Sequence, residues 1–162
     1  MNETFNKTFE EVLSHSRNKK LMKSLLRNIT LSDYDISEQE ILIKVYKDFN
    51  VKGCGKLSKY DIFAALCRRY NIFMTKVYIV GNGPKRAIKL LKMKTNSHNI
   101  NGIKLRYVEI DELIKELDKR INEKNRIYKN FDGDQLESFI CNWQKNVLFD
   151  SVIEYYQKRA TN

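Results

Sequence analysis

Lys85, Lys89 and Lys92 stand at i, i+4 and i+7, so a helix over this stretch lines three ammonium groups along one side. Such a row neutralises phosphates. It follows Gly81-Asn82-Gly83-Pro84, a turn that leads into a helix N-terminus, where backbone amides form a second anion-binding device. The surroundings extend the charge. Residues 62–108 hold no Asp or Glu but ten basic side chains: Arg68, Arg69, Lys76, Lys85, Arg86, Lys89, Lys92, Lys94, Lys104 and Arg106. The formal net charge of +10 therefore resides in this window, since acids and bases balance over the rest of the 162 residues. A middle third charged in this way is suited to a polyanion. Nucleic acid, DNA ahead of RNA, is the expected partner, and all ten residues are candidate contacts.

Other reactive side chains announce less. His15 and His98 are far apart and neither has a patterned partner, so each reads as a surface or capping residue rather than a base. Asp132-Gly133-Asp134 offers two carboxylates for a metal, yet the same triplet is a common turn between helices. Cys54, Cys67 and Cys141 are odd in number and form no C-x-x-C module, which reads as reduced thiols in an intracellular protein. The Gly81–Gly83 turn lacks the third glycine of a dinucleotide fingerprint and the Ser or Thr of a P-loop. No catalytic residue, cofactor or metal is expected. An enzyme would assemble its site from residues that the pattern does not announce.

The elements that must position the basic residues come next. A hydrophobic fraction of 42%, with 9 Tyr, 8 Phe and Trp143, supports a folded chain rather than a basic tail, and one compact domain over 1–162 is expected. Its parts are a helical stretch of about 1–71, a basic α/β segment of about 72–110 and a helical stretch of about 111–160. From Thr4 to Asn28 apolar residues recur at near-helical spacing. Ser37 followed by Glu40 reads as a capping box before a helix whose apolar face is Ile41, Ile43, Val45, Tyr46 and Phe49. Ser58 with Asp61 opens a further helix, with Ile62, Phe63, Leu66 and Tyr70 inward and Arg68 and Arg69 near its exit. Lys76–Val80 reads as a strand, Lys85–Lys94 as a helix with Pro84 at its first position, Thr95–Gly102 as a polar connection, and Ile103–Glu109 as a second strand. Asp111–Ile121 and a stretch from the Asp132 turn to Tyr156 complete the helices. The fold class is α+β, mostly helical: about six helices and a small two-stranded β element. In the first thirty residues Glu3, Glu10 and Glu11 interrupt any apolar run, so neither a signal peptide nor a membrane contact is expected, and the location is cytoplasmic, or nuclear in a eukaryotic source.

Two families share features with parts of the chain. Asn50–Asp61, with Gly55, Leu57 and Asp61 at the turn, apolar and last-ligand positions, resembles an EF-hand loop within a hairpin of about 38–70. Lys52 and Cys54 stand where that loop needs oxygen ligands, so the resemblance implies a degenerate hand used for packing rather than calcium. Leu57-Ser58-Lys59-Tyr60-Asp61-Ile62 with Leu66, and Gly102 through Leu113, resemble the entry helix and the wing of excisionase and MerR-type winged helix-turn-helix domains. That resemblance, over 56–117, implies Lys85, Arg86 and Lys89 on a recognition helix and Lys104 and Arg106 on the wing. Ile72–Gly83 inserts a strand, and a β-α-β unit bearing a basic helix is the alternative geometry. The last helix carries Leu136, Phe139, Ile140, Trp143, Val147, Leu148 and Val152 on one side, with Phe149, Tyr155 and Tyr156 widening it, and is expected to pack the core and to offer a homodimer face. The functional expectation is a small DNA-binding regulator or accessory factor. A helical adaptor for an acidic protein partner is the alternative.

Overall fold

The structure, a computed structural model, describes residues 37–48 and 55–160, with side chains described except at 48 and 148–154. The helix expected over Thr4–Asn28, Phe49, the loop residues 50–54 and the side chains of Leu148, Phe149 and Val152 lie outside the described residues. The chain divides into two compact units, one of residues 1–75 and 97–105, the other of 76–96 and 106–162.

In the first unit, the Glu40 amide donates to Ser37 Oγ at 3.1 Å, which caps α1 (Glu38–Asp48) as its sequence predicts. Ile41, Leu42, Val45 and Tyr46 are buried, whereas Ile43 is 39% exposed. The expected face is corrected by one residue, because Ile43 lies about 200° around the helix from Ile41 while Leu42 and Tyr46 widen the stripe. The second helix, α2 (Lys56–Arg69), begins ahead of the predicted Ser58 start, since Gly55 is already extended and its carbonyl accepts from the Lys59 amide at 3.0 Å. Ile62, Phe63 and Leu66 are buried as expected, but Tyr70 is partly exposed because it is the cap and no longer on the helical face. Asn71, at φ 52°, ends α2: its amide donates to the Arg68 carbonyl and that of Ile72 to the Cys67 carbonyl. Tyr46 donates its hydroxyl to the Lys56 carbonyl at 2.9 Å, and Thr75 donates both N–H and Oγ–H to Glu38 Oε2 at 2.8 Å. Side chains thus tie α1 to both ends of α2's surroundings.

A three-stranded sheet of order β1-β3-β2 replaces the two-stranded element expected. β1 (Lys76–Tyr78) pairs antiparallel with the second half of β3 (Ile103–Glu109), Val77 opposite Val108. β2 (Asn96–Ile100) lies in the stretch expected as a connection. Its polar composition hides it, but Asn101 and Gly102, at φ 51° and 77°, form the two-residue turn that matches the twist of paired strands. Asn-Gly is the signal that finds this hairpin.

In the second unit, α3 (Asn82–Leu91) starts at Asn82, so Pro84 is its third residue rather than its first. The proline remains within the turn whose amides have no intrahelical acceptor, and its missing N–H costs nothing there. α3 ends earlier than predicted: Lys92 adopts φ 53°, its amide donates to the Lys89 carbonyl and that of Met93 to the Ile88 carbonyl. α4 (Ile110–Asp118), a 3-10 turn (Glu123–Asn125) and α5 (Gly133–Ala160) follow. The core unites Val77, Ile79 and Val108 of the strands with Ala87, Ile88 and Leu91 of α3, Leu113 and Leu117 of α4, and Leu136 and Ile140 of α5. Phe139 and Trp143 pack at its margin. Tyr155 and Tyr156, expected to widen that stripe, are exposed near the end of α5.

Candidate nucleic-acid interface

α3 is positioned by its apolar side. With Pro84, Ala87, Ile88 and Leu91 buried, the helical period turns Lys85, Arg86 and Lys89 outward, and all three are exposed. Its start is packed closely on α5: a Cβ on Gly83 would lie 2.7 Å from Cys141 Sγ. Only glycine allows this approach without displacement of its neighbour. Gly81 precedes α3 with no side-chain cap, and no acid occupies the helix's own first turn.

Lys92 and Lys94 are exposed but fall at and beyond the left-handed cap, so the predicted row along the helix is Lys85 and Lys89, with Lys92 closing it. On β3, Lys104 and Arg106 are exposed and Leu105 between them is buried, as strand alternation requires. Arg106 leaves the strand on the side of Val108, two residues on, which packs in the core with α3. No ion pair reaches Lys85, Arg86, Lys89, Lys92, Lys94, Lys104 or Arg106 among the described residues. Their charge is available to an external anion.

The remaining three differ. Lys76 is half-buried, 3.9 Å from Glu109 and 5.6 Å from the Tyr107 ring centre, so its charge is largely answered within the protein. Arg68 and Arg69 are exposed at the end of α2, with the Arg69 guanidinium 5.5 Å from the Tyr70 ring centre. Arg68, Arg69 and Lys104 belong to the first unit, and the other seven candidates to the second.

The Asp118 carboxylate accepts from Lys129 Nζ and from the Tyr128 hydroxyl at 2.6 Å, while Arg126 donates to the carbonyls of Asp118 and Ile121 at 2.8 and 2.9 Å. Hydrogen bonds from Lys129 and then Tyr128 hold the Asp118 carboxyl below its usual range. Burial, then the Asp118 carboxylate, pushes the Tyr128 phenol up. This cluster fastens the segment after α4. Burial is also the first cause that pushes the Cys141 thiol up to about 12, with the Glu137 charge and hydrogen bond adding to it, so the thiol is no nucleophile at neutral pH.

Asp132 is occupied as a helix cap. Its Oδ1 accepts from the Gln135 amide at 3.0 Å, and Gln135 Oε1 accepts from the Asp132 amide at 3.0 Å, a reciprocal box at the head of α5. Among the described residues no group of three or more His, Cys, Asp or Glu could hold a metal ion. No helix of the described residues is long and apolar enough to cross a membrane. His98 is half-buried on β2; His15 lies outside the described residues.

Residues 2–152 match the family model described as amino acid:DNA transferase. The chain belongs to that family. The match takes in the acid-free window and all ten basic residues, and the family's description is DNA-related. No curated protein matches the chain, and no solved structure does.

Proposed function

We propose that this protein binds DNA through the exposed basic residues of α3 and β3 and takes part in joining an amino acid to that DNA. The observation that carries the reading is the coincidence of the family match with a stretch in which Lys85, Arg86, Lys89 and Arg106 are exposed and have no ion pair among the described residues. Capture is electrostatic first, through counterion release at the phosphates, with any reading of bases by Lys85, Arg86 and Lys89 second. The family description favours a role in transfer over a role in regulation, and the transfer half of the proposal rests on that description alone.

Duplex DNA and duplex RNA titrated at two salt concentrations test the binding half. DNA is expected to bind more tightly, with affinity falling on the order of 10²-fold between 50 and 200 mM salt for a few phosphate contacts. Absence of binding at low salt overturns it. Mass spectrometry of nucleosides from cells with and without the chain tests the transfer half, which expects a nucleoside bearing an added aminoacyl mass. If binding is present and that mass is absent, transfer falls and binding stands.

A further inference from the structure

Tyr70 and Phe73 are large aromatic residues that the fold leaves in water, 37% and 56% exposed, at the exit of α2. One exposed ring is ordinary, but two within four residues, next to two arginines, make a patch of defined chemistry. The backbone that carries them is fastened on both sides. The Tyr70 amide donates to the Leu66 carbonyl, Asn71 turns at φ 52°, and the Ile72 amide donates to the Cys67 carbonyl at 2.9 Å. Beyond Phe73, Met74 is buried and Thr75 donates twice to the Glu38 carboxylate of α1. With Met74 drawn inward, Phe73 is left facing out. A ring held out on a fastened backbone is preorganised, so little ordering entropy remains to be lost when a ligand covers it.

The neighbours decide which ligand fits. Arg68 and Arg69 are exposed beside the rings, with the Arg69 guanidinium 5.5 Å from the Tyr70 ring centre. No Asp or Glu occurs between residues 62 and 108. An apolar protein surface laid over this patch would strip water from both guanidinium groups without replacing it. A nucleic-acid strand answers both parts, with phosphates for the guanidinium groups and base faces for the rings. Within an intact duplex the bases cover one another's faces, so unpaired nucleotides are the ones that present them. Tyr70 and Phe73 are three residues apart, no more than about 11 Å along the chain, and one short strand can span both. All four side chains belong to the first unit.

We propose that residues 68–73 form a stacking platform for unpaired nucleotides, in which Tyr70 and Phe73 receive bases and Arg68 and Arg69 the adjoining phosphates. The inference rests on the proposed DNA binding and deepens it, by naming single-stranded or locally opened DNA as a bound form.

The test is an anisotropy titration of the full chain with labelled oligothymidylate, with an abasic strand of the same length and with duplex DNA, all at one low salt concentration. The parent should bind oligothymidylate more tightly than the abasic strand. Tyr70→Ala and Phe73→Ala should each weaken oligothymidylate binding about 5- to 100-fold, the loss of one stacked base, and leave abasic-strand and duplex affinities unchanged. Both side chains are exposed, so the melting temperatures should match the parent's. Phe73→Trp should keep the affinity, and its added fluorescence should be quenched by oligothymidylate but not by the abasic strand. If the parent binds duplex DNA while the Ala variants bind oligothymidylate as tightly as the parent does, the platform is overturned and the DNA-binding reading stands. If the parent binds no DNA of any kind, both fall. Equal losses for oligothymidylate and the abasic strand would overturn stacking in favour of phosphate contact alone. A parent that sediments as a dimer where Phe73→Ala is a monomer, at equal oligothymidylate affinity, would assign the rings to a second copy of the chain instead.

Discussion

The Cα of Gly83 faces Cys141 so closely that an added methyl would stand 2.7 Å from the sulfur and 3.3 Å from Cys141 Cβ. This contact sets how near the basic helix lies to α5. Gly83→Ala should destabilise the protein by roughly 1–3 kcal/mol through overpacking, measured by denaturant unfolding. A second change, Cys141→Ala, removes the atom in the way and should recover part of that loss. A double-mutant cycle that shows simple additivity would disprove the clash.

The same sulfur predicts an alkaline limb. With its thiol pushed up to about 12, Cys141 stays protonated in the fold while an unfolded cysteine ionises near 8.5. The contribution is fully present below the unfolded value and is lost as pH rises toward the folded one. Stability should therefore fall above about pH 8.5, and less steeply in Cys141→Ala. The residual slope belongs to groups such as Tyr128, which is shifted in the same direction. At neutral pH, alkylation of Cys141 should be far slower than that of a free thiol.

Asp118 supplies the acid limb. Its carboxyl is held low by Lys129 and Tyr128, so its contribution is present above the unfolded value near 3.9 and is lost as pH falls through the lower folded value. Asp118→Asn should lower stability at pH 7 and flatten the pH dependence below about 4. Tyr128→Phe removes one buried donor and should cost about 1 kcal/mol. Thermal melts across pH 2–5, as order-of-magnitude bounds on that window, report both.

The cap of α5 gives a control for the reading of Asp132. Asp132→Ala should cost about 1 kcal/mol of stability by leaving the Gln135 amide without its acceptor. DNA affinity should not change. A variant that keeps its stability but loses metal-dependent turnover would instead make Asp132 a ligand.

Lys92 separates stability from binding. It occupies a left-handed position where glycine carries no Cβ penalty, so Lys92→Gly should stabilise the protein by roughly 0.5–1 kcal/mol while weakening DNA binding and reducing the salt slope by about 1. Calorimetry and a salt-dependent DNA titration on the same sample decide it. If stability rises and affinity is unchanged, Lys92 is not a phosphate contact.

The legible parts of the fold were those with a local cause. Ser37 and Glu40 announce the start of α1, and the run Val77–Tyr78 with its glycine stop announces β1, because capping and β-branching act over a few residues. Asn96–Ile100 carries no such signal, since its pairing comes from β3 and from the Asn101-Gly102 turn beyond it. Apolar character suggests an inward place for Ile43 and Tyr70, whereas the helical period and the chain's exit from α2 turn them out. The exposed charges of the candidate interface were legible because lysines without acids nearby stay in water. The burial of Lys59 was not, because it is decided by tertiary neighbours that no spacing in the sequence records.

The left-handed turn at Lys92 also fixes a length. It halts the basic helix at ten residues, about 15 Å, which along a duplex corresponds to only four or five base-pair steps at 3.4 Å each. If the proposed function holds, a footprint this short would engage few phosphates, and the helix alone would hold DNA only briefly. Such contact would suit the proposed role, in which many positions on a long polymer are visited in turn.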